Sequence, residues 1–176
     1  MKHSLYVANL SEHSDIREHL GLLRGLALEC DVVVELGFRT GVSTSAFLAA
    51  ERPVVYSYDI APNHAALDRL QKAYPKLRFV NEDSRKADIP QCDMLFIDTD
   101  HTEATTKAEL EQHSDKVGRW IVLHDTKTFG RVDRMPGNGK GILAAVDWFL
   151  SFYSWKIILH INNNNGLTIL EEVNAT

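Results

Sequence analysis

Hydrophobic residues follow two alternating spacings along this chain, and each spacing predicts a different element. Short continuous apolar runs favour strands buried on both faces, as in a parallel sheet. Longer segments with apolar residues at every third or fourth position favour helices. The apolar runs predict strands at residues 31–36, 54–60, 77–81, 93–98 and 119–124. The periodic segments predict helices at residues 42–50, 63–74, 102–114 and 142–153.

The two ends of the chain complete this pattern. Residues 1–13 show little periodicity and are interpreted as a frayed arm or a lid over a site. Ser14 can cap a first helix whose apolar positions continue to Ala27. Near the other end, apolar runs at 155–161 and 167–170 flank Asn165-Gly166, which favours a tight hairpin. Five strand–helix units and an antiparallel hairpin predict an α/β sandwich around a mostly parallel sheet.

Two segments of the pattern are less regular. The helix predicted at 102–114 has a narrow apolar face and is expected to be well exposed. Residues 126–140 contain Gly, Pro and Arg and have the length of a functional loop. Arg131 and Arg134 in this loop are interpreted either as a clamp for an anionic substrate or as part of a solvated segment.

Length and charge exclude several classes of partner. The 176 residues fit one domain, with 1–30 as an arm and helix and 31–170 as the core. The net charge of -5 at pH 7 gives no basic surface for nucleic acid or an anionic membrane. With no leader and no long apolar run, a cytoplasmic protein is expected. Cys30 and Cys92 are then expected to be buried, reduced thiols.

The turn after the first strand carries the main binding motif. Gly37 and Gly41 lie between Glu35, near the strand end, and Ser43, which opens the next helix. Glycines in such a turn let a ligand approach the main chain, and free amides at a helix start favour carboxylate or phosphate groups. Asp59, at the end of the second strand, matches the acid that holds ribose hydroxyls in nucleotide-binding βαβ units. These residues predict a nucleotide-like cofactor.

The later strand ends carry a second polar group. The carboxyl ends of parallel strands meet at one edge of a sheet, where ligands bind. Asp98 and Asp125 offer hard oxygen ligands for Mg²⁺ or Mn²⁺, while His124 would favour Mn²⁺, Fe²⁺ or Zn²⁺. His101 could accept a proton near neutral pH. As alternatives, these residues could cap turns or act as acids and bases without a metal, and His124 could be a satisfied buried histidine.

Other polar residues are assigned more weakly. Asp83-Ser84, after the third strand, is interpreted either as an adenine-side contact or as a turn cap. Five histidines belong to no cluster and are expected to be surface or structural residues, namely His3, His13, His64, His113 and His160.

Four motifs together resemble a known family. They are Glu35-x-Gly37-x-x-x-Gly41-x-Ser43, Asp59 after the second strand, LFIDTDH at 95–101 and IVLHDT at 121–126. The combination is similar to the class I S-adenosylmethionine-dependent methyltransferases. Within them it most resembles the small-molecule O-methyltransferases that include cephalosporin-hydroxylase-like and macrolide sugar methyltransferase proteins. The resemblance covers residues 31–170 and implies a three-layer, Rossmann-like sandwich whose seven-stranded sheet has the order 3-2-1-4-5-7-6 and an antiparallel last strand.

The resemblance also implies roles for individual residues. The methionine part of S-adenosylmethionine would lie at Glu35, Gly37 and Gly41, with its carboxylate at Ser43. Asp59 would hold the ribose hydroxyls, and the adenine would lie against Ile60, Asp83 and Ser84. The implied metal ligands, for Mg²⁺ or Mn²⁺, are Asp98, His124 and Asp125. The implied catalytic residues are His101 as the base, with Asp98 and His124. His124 departs from the acidic residue that the family has at this position.

The expected function is therefore S-adenosylmethionine-dependent methylation of a small hydroxylated acceptor. The short chain leaves the pocket either open or completed by a second subunit, so a homo-oligomer stays an alternative. A non-catalytic S-adenosylmethionine-binding protein and an NAD-dependent oxidoreductase are also open. The spacing Gly37-x-x-x-Gly41 differs from G-x-G-x-x-G, which counts against the oxidoreductase. No Gly-Lys-Ser/Thr follows the turn, which counts against a phosphate-binding NTPase.

Overall fold

A computed structural model describes residues 3–134 and 139–173, in which helices and strands alternate along most of the chain. The helices are α1 (Ser4–Ser11), α2 (Leu20–Ala27), α3 (Val42–Ala49), α4 (His64–Ala73), α5 (Glu103–His113) and α6 (Ile142–Phe152). The strands are β1 (Val32–Leu36), β2 (Val54–Tyr58), β3 (Leu77–Val80), β4 (Cys92–Ile97), β5 (Val117–His124), β6 (Trp155–Ile161) and β7 (Leu167–Glu172). Short 3₁₀ turns cover Arg17–His19 and Ser114–Lys116.

The strands form one seven-stranded sheet with the order β3-β2-β1-β4-β5-β7-β6. β7 pairs antiparallel with both β5 and β6, and the other neighbouring strands pair parallel. The predicted order and the antiparallel last strand are therefore confirmed. The order reverses between β1 and β4, and in open α/β sheets ligands bind at such a switch point, outside the carboxyl ends of the strands.

Helices cover both faces of the sheet and make three layers. The apolar residues of α2, α3 and α4 pack with Val33 and Phe96 on one face, whereas those of α5 and α6 pack with Val34 and Leu95 on the other. Successive side chains of a strand point to opposite faces, so the continuous apolar runs of β1 and β4 supply both cores. The predicted three-layer α/β sandwich is confirmed.

The N-terminal segment differs from its prediction. Residues Ser4–Ser11 form α1, so the interpretation as a frayed arm is wrong, whereas the interpretation as a lid stays a prediction. Leu5 and Tyr6 pack against the core, and the Asn9 amide donates to the Ser45 hydroxyl at 2.8 Å. The helix predicted to begin near Ser14 is α2. It begins only at Leu20, because residues Arg17–His19 before it form a 3₁₀ turn. Hydrophobic periodicity missed α1 because few of its positions are deeply buried.

The prediction that α5 is well exposed is wrong. Its buried positions are Thr105, Thr106, Glu109, Leu110 and His113. Four of these five side chains are polar, and two of them bond to the connection between β3 and β4. The Ser84 hydroxyl donates to Glu109 at 2.6 Å, and the His113 Nε2 donates to the Ser84 carbonyl at 2.6 Å. A helix that buries polar side chains has no hydrophobic period by which a sequence pattern could identify it.

Several smaller predictions can also be compared. Cys30 and Cys92 are buried and free, as expected. Residues 135–138 lie outside the described chain, so only part of the predicted loop 126–140 is described. No helix among residues 3–134 and 139–173 combines the length and the apolarity needed to cross a membrane.

Candidate active site

The turn after β1 locks three strand ends together. Gly37 has a φ of +99°, and a Cβ atom added there would lie 2.0 Å from the Asp98 carbonyl oxygen. The Gly37 amide donates to the Tyr58 carbonyl at 2.8 Å, and the Asp98 amide donates to the Leu36 carbonyl at 2.9 Å. Only a residue without a side chain fits this approach between the ends of β1, β2 and β4.

Glu35 lies beneath this turn rather than in a cavity. Its carboxylate is fully buried and accepts hydrogen bonds from the hydroxyls of Ser43 at 2.5 Å, Thr44 at 2.7 Å and Ser57 at 2.5 Å. Burial raises the pKa of Glu35 to about 7, although the three hydroxyl contacts act in the opposite direction. Glu35 therefore fixes the start of α3 against β1 and β2, which supports the cofactor turn from below.

Replacing Glu35 with glutamine is expected to remove a pH-dependent loss of stability. The ordinary pKa of 4.5 applies to the unfolded chain, whereas the folded value is about 7. Between these values the unfolded chain releases its proton while the folded chain keeps it. The free energy of unfolding of the wild-type protein therefore falls as pH rises, by an amount on the order of 3 kcal/mol from this group. Urea unfolding of both proteins between pH 4.5 and pH 8 measures this fall in the free energy of unfolding.

The glutamine amide can keep all three contacts of Glu35. Its oxygen can accept from Thr44 and Ser57, and its NH₂ group can donate to the Ser43 oxygen. Glu35→Gln should therefore match the wild-type protein at pH 4.5 and exceed its stability at pH 8. Parallel pH profiles of the two proteins would contradict this account.

The residues that follow β2 and those that follow β3 form one wall of a cavity. Asp59 accepts the backbone amides of Arg39 and Ala61, each at 2.7 Å, so its carboxylate is held in one orientation. Ile60 beside it is 72% exposed. An exposed large apolar residue next to an oriented carboxylate fits a ligand that combines an apolar ring with hydroxyl groups.

Asp83 and Ser84 continue this wall. The Arg85 guanidinium donates to both oxygens of Asp83, at 2.9 and 2.7 Å, and lowers the pKa of that carboxyl. Ser84 and Thr99 both donate to the buried Glu109 carboxylate, at 2.6 and 3.1 Å. Their side chains are thus fixed from the α5 side.

A second cluster lies where β4 and β5 end. The His101 Nε2 is 2.6 Å from Asp125 Oδ2 and 3.1 Å from Asp98 Oδ1. The His124 Nδ1 is 3.3 Å from the same Asp98 oxygen, and its Nε2 donates to the Asn164 carbonyl at 3.2 Å. The sequence prediction that Asp98, His101, His124 and Asp125 meet at one edge is borne out by these distances.

The charges of this cluster stabilise one another. Burial alone would lower the pKa of His101, but the hydrogen bonds to Asp125 and Asp98 outweigh it and raise that pKa to about 9. The pKa of His124 is raised in the same way, mainly by Asp98. Burial opposes ionisation of Asp98 too, yet the two imidazoles hold its pKa well below the usual range. The imidazoles of His101 and His124 and the carboxylate of Asp98 therefore favour one another's charged forms.

The backbone is strained at two of these positions. His101 has a φ of +61° and Asp125 a φ of +59°, a region that residues with a side chain rarely adopt. Strained conformations persist where surrounding contacts enforce them, and they concentrate at functional sites. Stacking of the Phe129 ring on the His101 ring, with centroids 5.1 Å apart, is one such contact.

Comparison with known protein families identifies the family of this chain. The sequence profile of a family described as a methyltransferase domain matches residues 34–126, just over half of the chain. This chain belongs to the S-adenosylmethionine-dependent methyltransferase family. The matched segment runs from β1 to the end of β5 and contains the glycine turn, Asp59 and the Asp98–Asp125 cluster. Curated protein sequences give no significant match to this methyltransferase.

Solved structures show the same fold at low identity. A provisionally assigned caffeoyl-CoA O-methyltransferase from Staphylococcus aureus aligns with a TM-score of 0.71 at 15% identity, over 96% of this chain and 92% of that one. Cofactor-bound Rv0187 from Mycobacterium tuberculosis (MTB) gives 0.70 at 17% identity, over 97% and 87%. The N-methyltransferase NodS from Bradyrhizobium japonicum, in complex with S-adenosylhomocysteine, gives 0.68 at 13% identity, over 93% and 90%.

Two adjoining cavities lie at this edge of the methyltransferase. The larger, about 690 Å³, extends from Tyr58 and Ile60 to Phe129 and Asn165. The predicted site residues that line it are Gly37, Asp59, Ile60, Asp83, Ser84, Asp98, His101 and Asp125. The smaller, about 450 Å³, lies between the glycine turn and the segment before α2, and Ser43 and His13 line it. Glu35, Gly41 and His124 line neither of these two cavities.

The cluster of the methyltransferase fits a divalent cation. Donor atoms of Asp98, His101 and Asp125 lie within 4.8 Å of one another. Two carboxylates and an imidazole suit Mg²⁺, Mn²⁺ or Fe²⁺. The predicted ligand set is Asp98, His124 and Asp125, whereas the three donor groups that lie this close together belong to Asp98, His101 and Asp125. The role of His124 as a ligand stays a prediction. His124 turns Nδ1 toward Asp98 and donates from Nε2 to the Asn164 carbonyl, and ligating histidines commonly make such a second contact, which orients the ring.

Some residues of the site were missed by sequence reasoning. The Asn164 carbonyl accepts from both His124 and His19, each at 3.2 Å, and the Asn165 carbonyl accepts from the Lys127 amide at 2.8 Å. The asparagine run at 162–165 indicated only a hairpin. Positive φ at Asn164 and Asn165, +44° and +71°, is a turn property that this run favours, but nothing local indicates a contact with β5.

Proposed function

We propose that this methyltransferase transfers the methyl group of S-adenosylmethionine to a hydroxyl oxygen of a small acceptor. The observation that carries the proposal is the position of the Asp98–His101–Asp125 cluster in the same cavity as Asp59 and Ile60. An O-methyltransferase must remove a proton next to its methyl donor, and the His101 imidazole can accept that proton in its neutral form, which a divalent cation beside the two carboxylates would favour.

The cofactor side of the cavity is proposed to bind S-adenosylmethionine through complementary shape and polarity. Asp59 would accept hydrogen bonds from the ribose hydroxyls, since its two oxygens are already oriented by backbone amides. Ile60 would cover one face of the adenine, and the Asp83–Ser84 segment would border its edge. The main chain at Gly37 and the hydroxyl of Ser43 would meet the methionine part. Bound S-adenosylmethionine supplies a sulfonium methyl that is already activated for transfer.

The acceptor side is proposed to orient a hydroxyl and to take its proton. His101 is held by Asp98 and Asp125 and by the stacked Phe129 ring, so its Nε2 keeps one position beside the cofactor side of the cavity. His124, bonded to the Asn164 carbonyl, would orient Asp98 from behind. Such fixed positioning accounts for much of the rate that a transfer between two bound molecules can gain.

A divalent cation is proposed as an assistant of this chemistry. Asp98 and Asp125 would hold it together with the His124 imidazole, which faces both carboxylates and leaves His101 as the base. Held there, a cation would compensate the charge of the carboxylates and lower the pKa of both His101 and a neighbouring hydroxyl.

Cofactor selectivity and methyl transfer test the proposal together. S-adenosylhomocysteine is expected to raise the melting temperature while NAD does not, because selective binding stabilises the folded state. Transfer from labelled S-adenosylmethionine to a panel of small hydroxylated acceptors is expected, and it should rise when Mn²⁺ replaces a chelator. Stabilisation by NAD alone would indicate an oxidoreductase. Cofactor binding without transfer to any acceptor, with or without Mn²⁺, would favour a non-catalytic binding protein.

A further inference from the structure

Three arginines line the larger cavity, and two of them are neutralised. The Arg39 Nη1 pairs with Asp15 at 2.6 Å, and Arg85 pairs with both oxygens of Asp83. The third, Arg134, is exposed, and its guanidinium has no carboxylate within 4.0 Å and no hydrogen bond among residues 3–134 and 139–173. It is thus the cavity cation that the described chain leaves uncompensated.

The backbone that carries Arg134 is anchored. The carboxylate of the preceding Asp133 is buried and accepts the amides of Glu103 at 2.8 Å and Gly141 at 2.9 Å. The Arg134 amide itself approaches the His101 carbonyl at 3.4 Å. These contacts tie the segment to the start of α5 and to the residue before α6. Arg134 therefore has a defined place at the cavity wall next to His101.

The groups around Arg134 also favour the binding of a negatively charged ligand. The Asp98 and Asp125 carboxylates pair with His101 and His124, and neither lies within 4.0 Å of the Arg134 guanidinium. The Asn165 Oδ1 accepts from the Thr128 hydroxyl at 3.0 Å. This contact uses the oxygen of the side-chain amide, so its NH₂ group can donate to a ligand. A guanidinium and an amide NH₂ that line the same cavity can both donate to an oxyanion.

Arg131, three residues earlier, has another role. Its Nη1 donates to Asp147 on α6 at 2.7 Å, and it does not line either described cavity. The sequence treated the two arginines as one candidate clamp, and the structure separates them. Arg131 consequently provides a matched control on the same loop.

We propose that Arg134 binds an anionic group of the acceptor, so that the acceptor is a small hydroxylated acid. This inference rests on the proposed function. The hydroxyl to be methylated lies at His101 and Asp125, and a carboxylate or a phosphate ester of the same molecule lies at Arg134. Carboxylate and phosphate offer the same oxygen acceptors to a guanidinium, so the source of the negative charge is determined by experiment.

Matched acidic and neutral probes test the inference by calorimetry on protein loaded with S-adenosylhomocysteine and Mn²⁺. The carboxylate pair is 3,4-dihydroxybenzoate and 3,4-dihydroxybenzamide, and the phosphate pair is glycerol 3-phosphate and glycerol. We expect at least one acid to bind about tenfold or more tightly than its neutral partner, as for a charge-assisted hydrogen bond. Arg134→Gln should abolish this preference, while Arg131→Gln should retain it. The pair that shows the preference identifies carboxylate or phosphate.

The outcomes separate this inference from the proposed function. Equal binding of acid and neutral partner, failure of both acids to bind, or an unchanged preference in Arg134→Gln would overturn the role of Arg134. With any acceptor that is turned over, Arg134→Gln should raise KM and leave kcat nearly unchanged. Absence of S-adenosylhomocysteine binding by the wild-type protein would instead overturn the proposed function.

Discussion

Replacing His101 with alanine is expected to reduce methyl transfer by about 10²- to 10⁴-fold, the usual contribution of a positioned acid–base group. The affinity for S-adenosylhomocysteine should change by less than about threefold, because the proposed cofactor contacts come from other strand ends. Transfer to an acceptor used by the wild-type protein, together with calorimetric titration of S-adenosylhomocysteine, measures both quantities.

The loss should fall mainly on kcat. His101 lies within hydrogen-bond distance of Asp98 and Asp125, and its removal leaves the buried Asp125 carboxylate and the partly buried Asp98 carboxylate without their nearest imidazole. Part of any effect could therefore arise from a displaced cluster, and a His101→Gln variant, which keeps an uncharged donor, addresses this point. Both variants should lose activity if proton transfer is the role, whereas recovery in His101→Gln would assign it a structural role.

A control on another histidine makes the comparison specific. His3 is about half exposed, and its nearest acid is Glu51, before β2, at the opposite edge of the sheet. His3→Ala should therefore transfer methyl groups at the wild-type rate. If His101→Ala retains wild-type turnover as well, His101 has no part in the reaction.

The second large effect is expected for Gly37→Ala. The added Cβ atom would lie 2.0 Å from the Asp98 carbonyl oxygen and 2.8 Å from its carbonyl carbon, and a φ of +99° is itself unfavourable for alanine. Relief requires the ends of β1 and β4 to separate, which moves Asp98 out of the cluster. We expect a loss of about 3 kcal/mol or more in the free energy of unfolding, measured by urea denaturation. Affinity for S-adenosylhomocysteine should fall at least about a hundredfold.

Gly25→Ala is the matched control for this substitution. Gly25 lies in α2, and an added Cβ atom there would meet nothing within 4 Å. Alanine favours a helix over glycine by about 1 kcal/mol, so this variant should be slightly more stable than the wild-type protein. If Gly37→Ala does not yield soluble protein while Gly25→Ala does, the close approach at Asp98 is still supported. A Gly37→Ala protein of wild-type stability and affinity would contradict it.

The parts of the fold that could be predicted from the sequence depend on local signals. The apolar run of β1, with Val33 and Val34 on opposite faces, indicated a strand buried on both sides. Asn165-Gly166 indicated the hairpin that makes β7 antiparallel. The site residues at the ends of β4 and β5 could be placed together because parallel strands share one carboxyl edge.

The parts that could not be predicted depend on contacts between distant segments. Glu35 has the motif position of a ligand contact, yet its carboxylate bonds to Ser43, Thr44 and Ser57 beneath the turn. Glu109 is one of several acids on α5, and only the fold shows that it holds Ser84 and Thr99. Residue type and spacing indicate where a side chain begins, but not which partner it reaches.

The hairpin between β6 and β7 also affects when the site can form. Its tip bonds to residues far away in the sequence. Asn164 Oδ1 accepts from the Glu18 amide, 146 residues earlier, and the Asn164 carbonyl accepts from His19 and from His124, 145 and 40 residues earlier. Contacts of such high sequence separation form late and slow the folding of a domain. On the ribosome, His124 gains its carbonyl partner only after the chain has been synthesised as far as Asn164, 40 residues further on. The methyltransferase site therefore cannot be complete until the β6–β7 hairpin has been synthesised.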